Sequence, residues 1–324
     1  MELFMLRRSL YIFFGVLCFQ WALIASEKPL LLLHFDLNKT IMASDAVGGK
    51  SSNDVIVHCL ADTYKEKWGP EVGSPISYSD YVKEYLLPGS SSDLLLKKAR
   101  DKKISGFLAF LEKNRPEVYK KALAEFEDAL KALQDQKTLV FTSFYSLVEF
   151  LRTDGYDFSI IIRTFGPDFD QVAPEIENVA HIRFAEKARF QNGILYVDGN
   201  GSFSDIKEIY SFLKKTRNVA IQDDWARWFE HGERQEFGKP FPVDLKDKTT
   251  LSLFFDDNIS TDEHSQKNIV NPIDVPTNQP LSVASLIKDH HIFSVDTIQA
   301  IKDKSYYVHL VKIALQQKGS VDER

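Results

Sequence analysis

Short apolar segments that end in a carboxylate or a hydroxyl group are the feature of this sequence that most restricts its fold. The segments are "LLLHFD" ending in Asp36, "FSIIIRT" ending in Thr164, "NVAIQDD" ending in Asp223 and Asp224, and "LSLFFDD" ending in Asp256 and Asp257. Helical segments separate them from one another. Apolar strands that alternate with helices predict a parallel sheet with helices on both faces, a Rossmann-like α/β fold.

The ends of these strands predict a cation site. Ligands of open α/β sheets bind at the carboxyl ends of the strands, and the prediction brings five carboxylates to that edge. Carboxylates crowded together repel one another unless a cation neutralises them, and oxygen ligands suit Mg²⁺. The stretch "GKPFP" adds Lys239 as a fixed positive charge.

Composition excludes one class of partner. The chain has 324 residues, of which 27% are charged, and this is ordinary for a globular protein. Its formal net charge of −6 argues against nucleic acid as a partner, because a phosphate backbone requires a basic surface.

Residues 1–26 have the layout of a secretory signal. Arg7 and Arg8 precede an apolar run from Leu10 to Ala25 that only Gln20 interrupts. The run is a little short for a membrane span and a little long for a signal core, so an uncleaved membrane anchor is the alternative. Cleavage is favoured because the first strand begins only a few residues later, and an uncleaved anchor would press that strand against the surface of the bilayer. We therefore expect export to a periplasm or the exterior, with membrane contact only if the segment is retained.

A mostly helical stretch follows the first strand. Asn53 or Ser52 is predicted to cap one helix, and Asn114-Arg115-Pro116-Glu117 is predicted to open another with a capping-box-like start. The alternation of helix and strand returns from about Ser143, with a hairpin turn predicted at Asn192-Gly193. The predicted organisation is a signal or anchor at 1–26, an α/β core at 27–44 and 136–324, and a helical insertion at 45–135.

The order of the motifs resembles that of the haloacid dehalogenase superfamily, which consists mainly of Mg²⁺-dependent phosphohydrolases. The family's first motif, Asp-x-Asp-x-Thr after an apolar strand, corresponds to Asp36-Leu37-Asn38-Lys39-Thr40. Its second motif, a Thr or Ser that ends the next core strand, corresponds to Thr164. Its third, a Lys that often stands in Gly-Lys-Pro before a helix, corresponds to Lys239. Its acidic fourth motif corresponds to Asp256-Asp257, with Asp262 at the further spacing.

The resemblance implies a role for each of these residues. Asp36 would attack phosphorus and form an aspartyl-phosphate. Mg²⁺ would be held by Asp36, the backbone carbonyl of Asn38 and an acid from Asp256 or Asp257. Thr164 and Lys239 would hold the phosphoryl oxygens of a small phosphorylated substrate. The insertion at 45–135 would be the cap that closes over the site and selects that substrate.

Asn38 departs from the family pattern, because family phosphatases use a second Asp there as general acid and base. A carboxamide performs neither role, and such help is typically worth about 10²–10⁴-fold in rate. Two hypotheses follow. The first is a Mg²⁺-dependent phosphohydrolase or phosphotransferase, favoured by Lys239 and the acidic pair. The second is a non-catalytic protein of the same fold that binds metal and a phosphoryl ligand, favoured by Asn38.

Two motif assignments have rivals within the sequence. Thr142 or Ser143 in "LVFTSF" competes with Thr164, which we prefer because a long apolar strand precedes it. The pair Asp223-Asp224 competes with Asp256-Asp257 but lacks an upstream Gly-Lys-Pro. The alternative function for that pair is to cap the following helix.

Overall fold

The computed structural model describes residues 28–44, 49–90, 93–261 and 268–322. The signal or anchor predicted at 1–26 and the acidic residue Asp262 lie outside these residues. Within the described ranges, no helix is both long enough and apolar enough to cross a membrane.

An eight-stranded sheet lies at the centre of the molecule. The strands in spatial order are β13 (Ile292–Ser294), β10 (Thr250–Asp256), β1 (Leu30–Asp36), β4 (Phe158–Thr164), β8 (Val219–Gln222), β5 (Glu186–Gln191), β6 (Ile194–Val197) and β7 (Gly201–Phe203). The pairings from β13 through β5 are all parallel, and β6 and β7 extend the sheet antiparallel at one edge. The predicted α/β class with a parallel sheet is confirmed.

The burial of β1 explains why it reads as a continuous apolar run. It pairs with β10 on one side and β4 on the other, with Leu33 opposite both Leu253 and Ile160. Leu31 and Leu33 belong to the larger hydrophobic cluster on one face of the sheet, while Leu32 belongs to the cluster on the other. A strand covered on both faces needs apolar side chains at every position.

Helices cover both faces of the sheet. Those outside the insertion are α6 (Thr142–Thr153), α7 (Phe169–Ala180), α8 (Ile206–Lys215), α9 (Trp225–Glu230), α10 (Val283–Lys288), α11 (Thr297–Lys302) and α12 (Tyr306–Asp322). The predicted hairpin is confirmed: Asn192 and Gly193 join β5 to β6, and both have positive φ, as a type I′ turn requires.

The insertion is helical, as predicted. Its elements are α1 (Ser52–Thr63), the short strands β2 (Lys65–Glu66) and β3 (Ile76–Ser77), α2 (Tyr78–Tyr81) with a following π-helical turn (Val82–Leu86), α3 (Leu94–Ser105), α4 (Phe107–Asn114) and α5 (Pro116–Asp135). Side chains of the insertion such as Ile56 and Phe107 share one hydrophobic cluster with Phe144 and the strand residue Leu33. These helices therefore pack against the α/β part of the chain, and the domain boundaries at 45 and 135 stay a prediction.

The structure corrects two predicted helix starts. The first helix is capped by Ser51, whose side chain accepts from Asp54 N–H in a capping box, so Ser52 and Asn53 already lie inside it. Asn114 ends α4, and its side chain donates to the Phe110 carbonyl at 2.8 Å, so it does not cap the helix that follows. The next helix begins instead with a proline at its first position, where a missing N–H costs no hydrogen bond.

A second sheet of three strands packs against the first. It consists of β9 (Lys239–Val243), β11 (Val270–Asp274) and β12 (Gln279–Pro280), and β9 and β11 are parallel. The strand predicted in "NIVNPIDV" therefore exists but belongs to this small sheet. Lys239 begins β9 and not a helix, which differs from the family pattern in which the Gly-Lys-Pro motif precedes a helix.

Candidate functional site

The carboxyl ends of β1 and β10 bring three carboxylates together. These neighbouring strands are in register at Phe35 and Phe255, so Asp36 and Asp256 end them at the same level. Asp257 begins the loop that follows. One carboxylate oxygen from each of the three aspartates lies within 4.8 Å of the other two.

Lys239 lies between two of these carboxylates. Its Nζ is 2.5 Å from Asp36 Oδ1 and 2.7 Å from Asp256 Oδ2, and its side chain is fully buried. Backbone hydrogen bonding fixes the position, since Lys239 N–H donates to the Ile269 carbonyl at 2.6 Å. Gly238 permits this approach, because a Cβ there would lie 2.5 Å from the same carbonyl oxygen.

Burial and repulsion by neighbouring carboxylates raise the pKa values of Asp36 and Asp257. Burial raises the pKa of Asp36 well above its ordinary range although Lys239 opposes the rise, and it raises the pKa of Asp257 to about 6 although Lys39 opposes it. Burial alone would lower the pKa of Lys239, but the carboxylates of Asp256 and Asp36 raise it. The cluster holds three carboxylates but only the two ammonium groups of Lys239 and Lys39, so its carboxylates outnumber its positive charges.

The loop after β1 is held by hydrogen bonds from the C-terminal helices. The Thr297 hydroxyl donates to the Lys39 carbonyl at 2.6 Å, and the Tyr307 hydroxyl donates to the Thr40 carbonyl. Asp257 N–H donates to Thr40 Oγ1 at 3.2 Å, which ties this loop to the one after β10. The threonine of the first motif therefore connects the two acidic loops.

Asn38 contacts an aspartate that the sequence patterns did not indicate. Its Nδ2 donates to Asp168 Oδ2 at 2.9 Å. Because a carboxylate only accepts, this contact fixes the amide with Nδ2 toward Asp168 and Oδ1 away from it. Asp168 is 1% exposed and stands at the N-cap position of α7, yet its side chain makes no capping bond there. The carboxylate expected at position 38 is thus replaced by an amide that pairs with a carboxylate from another loop.

Thr164 lies at the same edge of the sheet as the aspartates. It ends β4, and its neighbour Arg163 is opposite Asp36 in the pairing of β4 with β1. Its Oγ1 accepts from Gly166 N–H at 3.1 Å. The rival residues do not end a strand: Thr142 begins α6, and the buried Ser143 donates to the Ala300 carbonyl at 2.6 Å.

The second acidic pair is already neutralised by the protein. Asp223 accepts two hydrogen bonds from Arg163, at 3.0 Å from Nε and 2.5 Å from Nη2, and both side chains are buried. Asp224 caps α9 by accepting from Arg227 N–H at 3.1 Å. It also accepts from Asn192 N–H at 2.9 Å. The capping alternative is confirmed for Asp224. Of the five carboxylates predicted at this edge, Asp36, Asp256 and Asp257 form the close cluster.

The donor set fits a hard divalent cation. Asp36, Asp256 and Asp257 offer oxygen atoms only, and Mg²⁺ prefers such ligands in proteins. Burial is the largest cause of the raised pKa values of Asp36 and Asp257, and the neighbouring carboxylates add to it; a divalent ion would favour the ionised form of both groups. Asn38 follows Asp36 closely in the same loop, so its backbone carbonyl stays a predicted further ligand.

Several residues that shape the site escaped the sequence patterns. Asp168 stands four residues after Thr164 in a Gly-Pro-Asp turn, a place where an aspartate usually serves the turn itself. Thr297 and Tyr307 lie far along the chain in helices that carry no motif. A strand-ending Thr164 followed closely by an acid is the one local signal that could have drawn attention to Asp168.

No protein-family model matches this sequence, and no curated protein shows significant similarity to it. A solved structure, a haloacid dehalogenase-like family hydrolase from Xanthomonas campestris, is similar over 90% of this chain and 99% of that chain. The sequence identity is 10% and the TM-score is 0.27. A likeness this low carries no argument about function, so the functional proposal rests on the residues of the site.

Proposed function

We propose that this chain is a Mg²⁺-dependent phosphohydrolase or phosphotransferase of the haloacid dehalogenase-like type that acts on a small phosphorylated molecule. One observation carries the proposal. Lys239, distant in sequence, places its Nζ within hydrogen-bond reach of both Asp36 and Asp256, beside a third carboxylate, at the carboxyl ends of parallel strands. This combination of fixed cation, nucleophile and oxygen ligands is what phosphoryl transfer requires.

Asp36 is the proposed nucleophile. One of its carboxylate oxygens forms a bond to phosphorus as the bond from phosphorus to the leaving oxygen breaks, which gives an aspartyl-phosphate. Lys239 holds Asp36 in place and offers positive charge to the phosphoryl oxygens, with the Thr164 hydroxyl proposed on the same group. Mg²⁺ held by Asp36, Asp256 or Asp257 and the Asn38 carbonyl would supply further charge neutralisation.

Asn38 predicts slow turnover. Its Nδ2 is committed to Asp168 at 2.9 Å, and an amide neither protonates a leaving group nor activates water. This observation favours a second candidate, a protein that binds a metal ion and a phosphoryl ligand without turning it over. The two candidates share one site and differ only in whether bonds to phosphorus break.

A set of phosphate esters assayed with Mg²⁺ and with EDTA tests the proposal. We expect release of phosphate that requires Mg²⁺ and that is abolished in Asp36→Asn, because the amide is not a nucleophile. The control Asp224→Asn should retain activity, since Asp224 caps a helix outside the cluster. Phosphate release that is indifferent to EDTA or that persists in Asp36→Asn would contradict the assignment.

Restoring a carboxylate at position 38 separates the two candidates. Asn38→Asp alone would place two carboxylates face to face where the Nδ2–Oδ2 distance is now 2.9 Å, and they would repel or share one proton. The double variant Asn38→Asp with Asp168→Asn keeps one amide and one carboxylate in the pair. We expect this variant to raise turnover of p-nitrophenyl phosphate by at least about tenfold, more than Asn38→Asp alone.

The outcome of that comparison is decisive for catalysis. If the double variant folds, binds Mg²⁺ and shows no turnover above Asp36→Asn, the site is not a latent phosphatase and the binding protein is the better account.

For location we propose export, which predicts a mature chain without residues 1–26. Mass spectrometry of cell fractions tests this, and an intact Met1 terminus in the cytosol would contradict it.

A further inference from the structure

Lys39 has a backbone conformation that disfavours a side chain. Its φ is +61°, in the left-handed region where glycine is usual and other residues are strained. Both backbone groups are fixed, because Lys39 N–H donates to the Met42 carbonyl at 2.8 Å and its carbonyl accepts from Thr297. The loop thus holds a long cationic side chain at a position that a glycine would occupy with less strain.

The side chain of Lys39 points to the acidic cluster. Its Nζ is 3.4 Å from Asp257 Oδ2, and the two side chains are only 16% and 9% exposed. Lys239 contacts Asp36 and Asp256, so Lys39 is the ammonium group that serves the third carboxylate. The three ionised carboxylates and the two charged lysines together carry a net charge of about −1. With Lys239 as the one lysine, the cluster would carry one more negative charge.

We propose that Lys39 is a built-in counter-ion of the metal site that competes with Mg²⁺ for the Asp257 carboxylate. The inference rests on the metal site of the proposed function and adds its regulation. An ammonium group 3.4 Å from one ligand both occupies that ligand and repels a divalent ion by direct Coulomb interaction in a poorly hydrated setting. Metal binding then requires the Lys39 ammonium to leave Asp257, which sets a lower affinity for Mg²⁺ than the three carboxylates alone would give.

A purely structural ion pair predicts something else. In that case Lys39 would stabilise the loop, and its removal would lower the melting temperature and loosen the carboxylate that Mg²⁺ needs. Affinity for Mg²⁺ would then fall or stay constant. The sign of the change in affinity separates the two roles without any measurement of turnover.

Calorimetric titration of the metal-free full chain with Mg²⁺ tests the proposal. Lys39→Met removes the charge with little change in shape, and we expect Mg²⁺ to bind at least about tenfold more tightly. Lys39→Gly removes the charge and the backbone strain together and should show the same gain even if Lys39→Met folds poorly. Lys39→Arg keeps the charge and should bind Mg²⁺ as the parent chain does.

The matched control is Lys50→Met, which removes a lysine whose Nζ is 3.2 Å from Asp101 in the insertion. Its affinity for Mg²⁺ should equal that of the parent chain. If Lys39→Met and Lys39→Gly bind Mg²⁺ no more tightly than the parent, the proposal about Lys39 is wrong while the metal site stands. If neither the parent nor the Lys39 variants bind Mg²⁺, the metal site of the proposed function fails and the counter-ion role fails with it.

Discussion

Two pairs of adjacent aspartates follow two parallel strands of the same sheet, and their surroundings are opposite. Asp223 forms a buried bidentate ion pair with Arg163, and Asp224 caps a helix. Asp256 and Asp257 instead face Asp36, with ammonium groups that leave the cluster short of positive charge. Identical dipeptides therefore serve structure in one loop and candidate chemistry in the other.

The difference lies in the cation that each pair meets. Arg163 lies on β4, the strand next to β8, and besides pairing with Asp223 it donates to the Pro240 carbonyl at 2.9 Å and to His34 Nδ1 at 3.2 Å. Burial, with the Arg163 charge, lowers the pKa of His34, so its ring is neutral and accepts this bond. The Arg163 guanidinium already neutralises the Asp223 carboxylate, so this carboxylate needs no metal ion to balance its charge.

The largest effect is expected when the counter-ion of Asp223 is removed. Arg163→Met should lower the free energy of unfolding by about 3–5 kcal/mol, because it leaves the Asp223 carboxylate buried without its counter-ion. Denaturant unfolding of the metal-free protein measures this. Asp257→Asn is the contrasting variant and should cost far less, since it removes one of three mutually repelling carboxylates. A small loss in Arg163→Met, within about 1 kcal/mol, would erase the distinction between the two pairs.

The next largest effect is the pH dependence of stability that Asp257 causes. Burial raises the pKa of Asp257 from its ordinary value to about 6, so between about pH 4 and 6 the folded state binds this proton more tightly than the unfolded state. Stability of the metal-free protein should therefore fall as the pH rises through this window, by on the order of 2 kcal/mol from this group.

Unfolding free energies measured with EDTA at pH 4.5 and pH 7 test that sign. Asp257→Asn should show a smaller fall than the parent chain, because its amide does not titrate. A parent chain and variant with parallel pH dependence would show that the carboxylate of Asp257 is not crowded in the way the structure indicates.

The smallest effect removes the helix cap. Asp224→Ala should destabilise the protein by about 1 kcal/mol, the usual cost of an aspartate at this position. It should leave the affinity for Mg²⁺ unchanged, because Asp224 contacts the backbone of Arg227 and Asn192 and none of the three clustered aspartates. Loss of Mg²⁺ binding in this variant would mean that both acidic pairs serve the same ion.

The sequence predicted the strands β1, β4, β8 and β10 and the placement of Asp36 and Asp256, because apolar runs and their polar ends are local patterns. The role of Lys239 was implied by the family resemblance. The sequence did not predict Arg163, which reads as one polar residue in a buried strand and finds Asp223 only across the sheet. Asp168 was missed for the same reason, since its partner Asn38 is 130 positions away in sequence. Helix starts failed where a proline at the first position replaced a side-chain cap, as at Pro116.

The central claim is that Asp36, Asp256 and Asp257 form a Mg²⁺ site, and the melting temperature tests it most directly. A ligand that binds only the folded state raises the melting temperature, and the rise grows with the logarithm of the ligand concentration relative to its dissociation constant. We predict that Mg²⁺ raises the melting temperature of the chain, and that the shift shrinks in Asp36→Asn and in Asp257→Asn. A shift in the parent chain no larger than in these variants would contradict the claim.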